Sequence, residues 1–369
     1  MRFPSSPGCI ASITVSVTSL SDTMAFWRAL LHPLGFGRIG EWPGCVLWAG
    51  DQAQLLVQEA AEASRGLVVM LRAGSRQVVD AIHATALQAG WPVVEKPASK
   101  FIAPGYYGCV LAVPGAPGIW ISIAHAWDDL PERSDATLVR AAGADPDVVL
   151  GGYLFRPEAA SRGAVIVLHG YASSAVDTVG TGKQLAAAGW TALCLSQRGW
   201  LGSTGREDQG LRQQDDVLCA ADWLQRETGL TRIGVLGYSQ GGQVALLAAA
   251  RDRPFAFVIA YFPCTDLQAW PQQAEGNGIR DYLEDFVTPD NIARCSPVSC
   301  ASRIVAPTLL IHGEEDRIVP IAQSEAMVAA NPAIQLLRVP GGDHGLWEQH
   351  DAIWPEVLAF INREQGTTD

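Results

Sequence analysis

RIGVLGYSQGG, residues 232–242, decides how the second half of this chain folds. Residues 232–236 are a short apolar run of strand type, and residues 240–251 carry a helical pattern, so the glycines between them fall on a strand-to-helix turn. Gly237-Tyr238-Ser239-Gln240-Gly241 fits G-x-S-x-G. In that setting the glycines let the chain turn sharply and hold a serine in a strained conformation, with its Oγ above the sheet. A glycine-rich strand-to-helix turn is common in α/β proteins, so the motif alone leaves the role of Ser239 open.

Outward from this turn, strand and helix alternate. Strands are expected over residues 148–155, 164–168, 191–195, 256–261, 308–311 and 334–339. Helices are expected over residues 182–188, 213–227, 321–329 and 353–361. In the second of these, Val217, Ala220, Ala221 and Leu224 mark one buried face. Strands apolar throughout and separated by helices predict a parallel sheet covered on both faces.

A serine hydroxyl needs a base, and His344 stands in GGDHG directly after the last predicted strand. His350 is its rival, on a predicted helix. A carboxylate should orient that imidazole, and Asp316 lies in the loop after strand 308–311. Glu314 and Glu315 in the same loop, and Asp266 after the preceding strand, compete with it. Asp343 adjoins the histidine and is not expected to reach round to it. Oxyanion donors are expected from the backbone N–H of Gln240 and of Tyr171, the latter in the loop after strand 164–168. His169 in that loop is read as structural.

Residues 1–127 have a different rhythm, α+β with an internal duplication. The first half shows strand 10–17, helix 22–31 and short strands over 36–39, 45–49 and 54–58. The second shows strand 67–72, helix 76–89 and strands over 93–95, 108–112 and 119–124. Residues 128–147, polar and bearing Pro131 and Pro146, read as a linker with a short helix around 136–142, and residues 148–369 as the second domain.

The net charge of −12, without a basic run, excludes a nucleic-acid partner. No apolar stretch reaches membrane-spanning length and no signal peptide is read at the start, which predicts a cytoplasmic protein. The cysteines are scattered singly, without a CxxC pair, and are read as reduced small hydrophobes.

Two resemblances follow from these residues. VIVLHGY, RIGVLGYSQGG, APTLLIHGEEDRIVP and GGDHG make the segment from about residue 148 onward resemble the α/β-hydrolases of the prolyl-oligopeptidase-like and dienelactone-hydrolase-like groups. The resemblance implies an eight-stranded, mostly parallel sheet, and the order Ser239, Asp316, His344 agrees with the Ser…Asp/Glu…His order of that family. It departs from dienelactone hydrolases, which carry cysteine where Ser239 stands, and from the peptidases, whose propeller repeat is missing. The first 127 residues resemble the vicinal oxygen chelate (glyoxalase/bleomycin-resistance) superfamily through ITVSVTSLSDTMAFWRALLHPLGF, LRAGSRQVVDAIHATALQAGW and PGYYGCVLAVPGAPG. Such domains hold a divalent metal through His or Glu on their strands. Ser12, Leu67, Val68, Trp120 and Ser122 stand at those places here, and His83 and His125 elsewhere, so a metal-free module is expected.

The reading is a serine hydrolase without cofactor, most simply a carboxylesterase forming an acyl-Ser239 intermediate from a small-molecule ester. Lactones, thioesters and small amides or peptides are alternatives, as are metal-dependent chemistry in the first domain and a non-catalytic binding protein. The first domain is expected to cap the site, bind substrate or form a homodimer. The excursion over residues 263–297, with Trp270, Tyr282 and Phe286, is a candidate lid.

Overall fold

The computed structural model describes residues 12–49, 54–100, 106–116, 118–126, 129–274, 283 and 287–363. Residues 1–127 and 128–369 form two compact units.

The first unit contains the same arrangement twice. Strand β1 (Ser12–Val17), helix α1 (Leu20–Leu31) and strands β2 (Gly37–Trp42), β3 (Cys45–Ala49) and β4 (Gln54–Glu59) make a sheet of order β1-β4-β3-β2. Strand β5 (Leu67–Arg72), helix α2 (Arg76–Gln88) and strands β6 (Val93–Ser99), β7 (Tyr107–Ala112) and β8 (Ile119–His125) repeat it as β5-β8-β7-β6. In each half the first strand pairs parallel with the last, Val15 opposite Val57 and Val69 opposite Ile121. The helices start alike: Ser19 Oγ accepts from Asp22 N and Ser75 Oγ from Val78 N, each at 3.3 Å, supplying an N-cap. The halves share one core, in which Phe26 of α1 meets Trp91 edge-on at 5.1 Å. Strand β6 runs past the expected residue 95, with register shifts that accommodate Pro97 without regular pairing.

The second unit is built on eight strands: β9 (Thr137–Ala142), β10 (Val149–Phe155), β11 (Ala164–Leu168), β12 (Thr191–Leu195), β13 (Ile233–Tyr238), β14 (Val258–Tyr261), β15 (Thr308–Gly313) and β16 (Gln335–Val339). Their order is β16-β15-β14-β13-β11-β12-β10-β9, parallel except where β10 pairs with β12 and β9. Period-two geometry explains the apolar runs, because alternate residues face opposite cores. Ile166 and Leu168 of β11 enter the core beneath α4 (Gln213–Thr228) and α5 (Gln240–Ala249), whereas Val165 and Val167 enter the other with Phe257 and Phe360.

Strand β9 corrects the sequence reading of residues 128–147. The expected short helix at 136–142 is an antiparallel strand on β10, running from Thr137 opposite Leu154 to Ala142 opposite Val149. Val139 and Ala141 are buried while Thr137, Arg140 and Ala142 are exposed, a strand alternation. The segment is therefore part of the sheet.

Arg198, after β12, locks this edge to α4. Its Nε and Nη2 meet the two oxygens of Asp216 at 2.5 and 2.7 Å, and its Nη1 meets Asp145 Oδ2 at 2.7 Å. Asp216 Oδ1 also accepts from Ala144 N at 2.8 Å, in the turn between β9 and β10. Cys45, Cys109, Cys194, Cys219, Cys264, Cys295 and Cys300 are free thiols, and Cys9 lies outside the described residues. Among the described residues no helix is long and apolar enough to cross a membrane.

Removing one partner of a buried ion pair strands the other charge. Arg198→Met is accordingly expected to destabilise the fold by about 3–5 kcal/mol, read as a lower urea midpoint; an unchanged midpoint would contradict the role given to this pair.

Candidate active site

Ser239 sits between β13 and α5 with φ 53° and ψ −116°, a left-handed conformation that costs a non-glycine residue about 1–3 kcal/mol. Close packing imposes it. A Cβ on Gly237 would lie 2.1 Å from Gly241 O, and one on Gly241 would lie 2.5 Å from His169 O, so both positions require glycine. Ser239 N still donates to Tyr261 O at 2.9 Å, and Gln243 N to Ser239 O at 3.0 Å, anchoring the turn on both sides.

The structure brings Ser239, His344 and Asp316 together. His344 Nδ1 is 2.7 Å from Asp316 Oδ2, and its Nε2 is 3.1 Å from Ser239 Oγ. A carboxylate can only accept, so Nδ1 carries the proton and Nε2 faces the serine hydroxyl as an acceptor. Two loops make this possible: Glu315 N donates to Gly342 O at 2.9 Å, and a Cβ on Gly313 would lie 2.2 Å from the same oxygen.

Asp316 is buried, its Oδ1 accepting from Ile318 N at 3.0 Å and Val319 N at 2.8 Å. Burial alone would raise its pKa, but hydrogen bonds from His312 and His344, the charge of His344 and the Val319 N–H outweigh it and hold the carboxyl at about 2. His312 was not singled out in the sequence. It is fully buried at the end of β15, with Nε2 2.6 Å from Val319 O and 3.4 Å from Asp316 Oδ2, and Nδ1 2.7 Å from Ser324 Oγ. Its place four residues before Asp316 was the only available signal.

On the other side of Ser239 lies the loop from His169 to Tyr171. A Cβ on Gly170 would come within 3.4 Å of Ser239 Cβ, so this backbone runs alongside the serine. His169 Nε2 accepts from Gln197 N at 2.9 Å, which leaves its Nδ1 as donor to Gly170 O at 2.7 Å. Burial pushes its pKa down to about 4, so it is a neutral brace. Tyr171 is half exposed and meets Trp200 edge-on at 5.1 Å. Gln240 is the first residue of α5, where backbone N–H groups lack helical partners.

The rivals are engaged elsewhere. Asp266 Oδ1 accepts from Gln268 N and Ala269 N at 3.0 Å, Glu314 lies 3.6 Å from Arg338, and His350 meets the Gln184 amide. Asp343 accepts from Gly345 N at 3.0 Å and Leu346 N at 3.1 Å, shaping the turn that carries His344. In the excursion over 263–297, Trp270 packs with Leu267, Leu283 and Cys295 and its indole donates to Ile318 O at 2.7 Å. Tyr282 and Phe286 lie outside the described residues.

Residues 198–366 match the profile of the prolyl oligopeptidase family. Human ABHD12B is 26% identical over 222 residues, covering 54% of this chain and 60% of that protein. Esterase LipC of Mycobacterium tuberculosis is 27% identical over 208 residues, 48% of this chain and 50% of LipC. The chain thus spans between half and 60% of the length of these two relatives. Among solved structures, an esterase of Pyrococcus furiosus superposes with a TM-score of 0.53 at 21% identity, over 64% of this chain and 97% of its own. That likeness shows the fold: the second unit is an α/β-hydrolase fold.

The depressed Asp316 pKa has a consequence for stability. An aspartate ordinarily titrates at about 3.9, and here the folded value is about 2. Its interactions therefore stabilise fully above the unfolded value and are lost as pH falls through the folded one. The stability gap between the wild type and Asp316→Asn should shrink as pH falls from about 5 towards 2; urea titrations across that range check it, and a constant gap would contradict it.

Proposed function

We propose that this chain is a serine hydrolase that cleaves carboxylic esters of small molecules through an acyl-Ser239 intermediate. The relay from Ser239 Oγ through His344 to the ionised Asp316 carries the proposal. Matches to an esterase and to the prolyl oligopeptidase family support the same chemistry. Lactones, thioesters and small amides would pass through the same steps.

Ser239 Oγ attacks the acyl carbon while its proton moves to His344 Nε2. The carbonyl electrons shift onto oxygen, where the N–H groups of Gln240 and Tyr171 receive the negative charge. Collapse of this intermediate expels the alcohol oxygen, which takes the proton from Nε2. Water then repeats the sequence on the acyl enzyme and frees the acid and Ser239. Asp316 stays ionised throughout, holding the imidazole tautomer and stabilising the imidazolium.

The surroundings favour an apolar acyl or alcohol group. Ile318 and Trp347 are large exposed hydrophobic residues two and three positions after Asp316 and His344, and the Tyr171 side chain is itself exposed. Trp347 is 77% exposed and folds back over Gly345, where a Cβ would lie 2.1 Å from its Nε1.

For the first unit we propose a vicinal-oxygen-chelate-like module, supported by the repeated strand order and the parallel first-to-last pairing. A divalent metal does not fit its donor set. Leu67, Val68 and Trp120 offer no ligand atom, Ser12 and Ser122 offer only hydroxyls, and among the described residues no cluster of His, Cys, Asp or Glu is placed to hold an ion. The module is proposed to serve substrate binding, capping or self-association.

A fluorophosphonate probe should label Ser239, mapped by mass spectrometry, and p-nitrophenyl esters should be turned over. Ser239→Ala is expected to abolish both, and Asp316→Asn to lower kcat by about 10⁴; full hydrolysis by Ser239→Ala would sink the proposal. Trp347→Ala should raise KM for p-nitrophenyl octanoate about fourfold relative to the acetate, the equivalent of one buried CH₂ lost at about 0.8 kcal/mol. Equal effects on both esters would remove Trp347 from the acyl site.

A further inference from the structure

One buried carboxylate has no part in the relay yet lies beside it. Glu207, in the segment between β12 and α4, accepts hydrogen bonds from four neutral N–H groups. Its Oε1 receives Gln240 Nε2 at 2.7 Å and Gln209 N at 2.8 Å. Its Oε2 receives Trp200 Nε1 at 2.6 Å and Gln213 Nε2 at 2.8 Å. Two donors on each oxygen leave no site for a proton that would itself need an acceptor, so this pocket is shaped for the anion.

We propose that Glu207 is the positioning residue of the oxyanion site, fixing Gln240 on one side and, through Trp200, Tyr171 on the other. The inference rests on the reading of Ser239 as nucleophile. On the Gln240 side the grip is double. The Gln240 side chain also donates to Gln209 Oε1 at 3.0 Å, and one turn along α5 Gln243 exchanges hydrogen bonds with Gln209, Nε2 to Gln209 O and Oε1 from Gln209 Nε2, each at 3.0 Å. Gln209 adopts φ 54° to make this contact, its N–H held by Glu207. On the Tyr171 side, the Trp200 ring meets Tyr171 edge-on at 5.1 Å and His169 at 6.3 Å, while its indole N–H is spent on Glu207.

A single carboxylate therefore ties the residue after the nucleophile to the loop that runs along its other side. Two oxyanion donors work only when both are aimed at one point before the charge appears, and misplacement by about 1 Å can cost about 10²-fold in rate. Burial and the nearby Asp208 charge push the Glu207 carboxyl up, and the donors of Gln209, Trp200 and Gln213 offset this only in part. An uncompensated buried anion is expensive unless hydrogen bonds satisfy it, so the geometry of these donors and the charge depend on each other. Glutamine cannot replace it: one oxygen would become an NH₂ facing two N–H donors.

The test uses the full chain with p-nitrophenyl butyrate as substrate and an alkyl trifluoromethyl ketone, whose serine adduct carries the oxyanion, as inhibitor. Glu207→Gln should lower kcat about 10- to 100-fold, below the about 10²–10³ of losing a donor outright, with KM within about twofold. Inhibition by the ketone should weaken by the same factor as kcat. Trp200→Phe keeps an aromatic ring beside Tyr171 but loses the pyrrole ring with its N–H, so it should shift both readouts in the same direction by a smaller factor. A folded Glu207→Gln enzyme with wild-type kcat, a loss confined to KM, or a fall in kcat without weaker ketone binding would each overturn the assignment. If Glu207→Gln does not fold, Trp200→Phe decides by the same criteria. A wild type that neither turns over the ester nor is labelled at Ser239 would instead overturn the hydrolase reading itself.

Discussion

The close approach of backbones around Ser239 is the constraint from which the rest of the site follows. Gly237 and Gly241 touch each other, and Gly241 lies against the end of β11, leaving no room for side chains. The serine is the residue forced into a left-handed conformation by that contact. The strain is small against the two apolar cores that clamp β13, one of them shared with α5, so the sheet can hold it. Everything else is aimed at the position so created. Parallel strands bring the ends of β11, β13 and β15 to one edge, and the loops leaving them carry Tyr171, Ser239 and Asp316.

Histidines around this edge are assigned to different tasks by their partners. His169 accepts a backbone N–H in full burial and stays neutral, which makes it a brace for the loop beside the serine. His312 is equally buried but lies against Asp316 and helps hold that carboxyl at about 2. His344 alone is partly exposed and spans from carboxylate to hydroxyl. One residue type thus serves as brace, as partner of a buried carboxylate and, in the proposed mechanism, as proton carrier, according to what its ring nitrogens meet.

Much of this was legible because it is local or periodic. Apolar runs separated by helices led to a parallel sheet, and motif residues at strand ends led to Ser239, Asp316 and His344, which stand in hydrogen-bonding reach of one another. Strand β9 was missed because it is only six residues long and lies in a polar stretch, and its strand character is settled by pairing with β10. Glu207 and Gln209 carried no signal because their meaning lies in contacts with α5, more than thirty residues away for Glu207 and Gln240, and Trp200 none because its role lies in reaching Glu207 and Tyr171. Apolar alternation survives in a linear reading, whereas a polar network exists only after the fold has brought its members together.

The parallel pairing of β11, β13, β14 and β15 also governs when the site can exist as the chain folds. Ser239 and His344 are 105 residues apart, and each parallel pairing closes a long loop before it is rewarded with contacts. The hairpin of β9 and β10 can form early from neighbouring residues, but no portion of the relay resides in it. Catalytic competence therefore depends on the long-range parallel pairings and not on the local hairpin. Recovery of activity after dilution from denaturant would report completion of the whole sheet, while backbone signals would report earlier and more local steps.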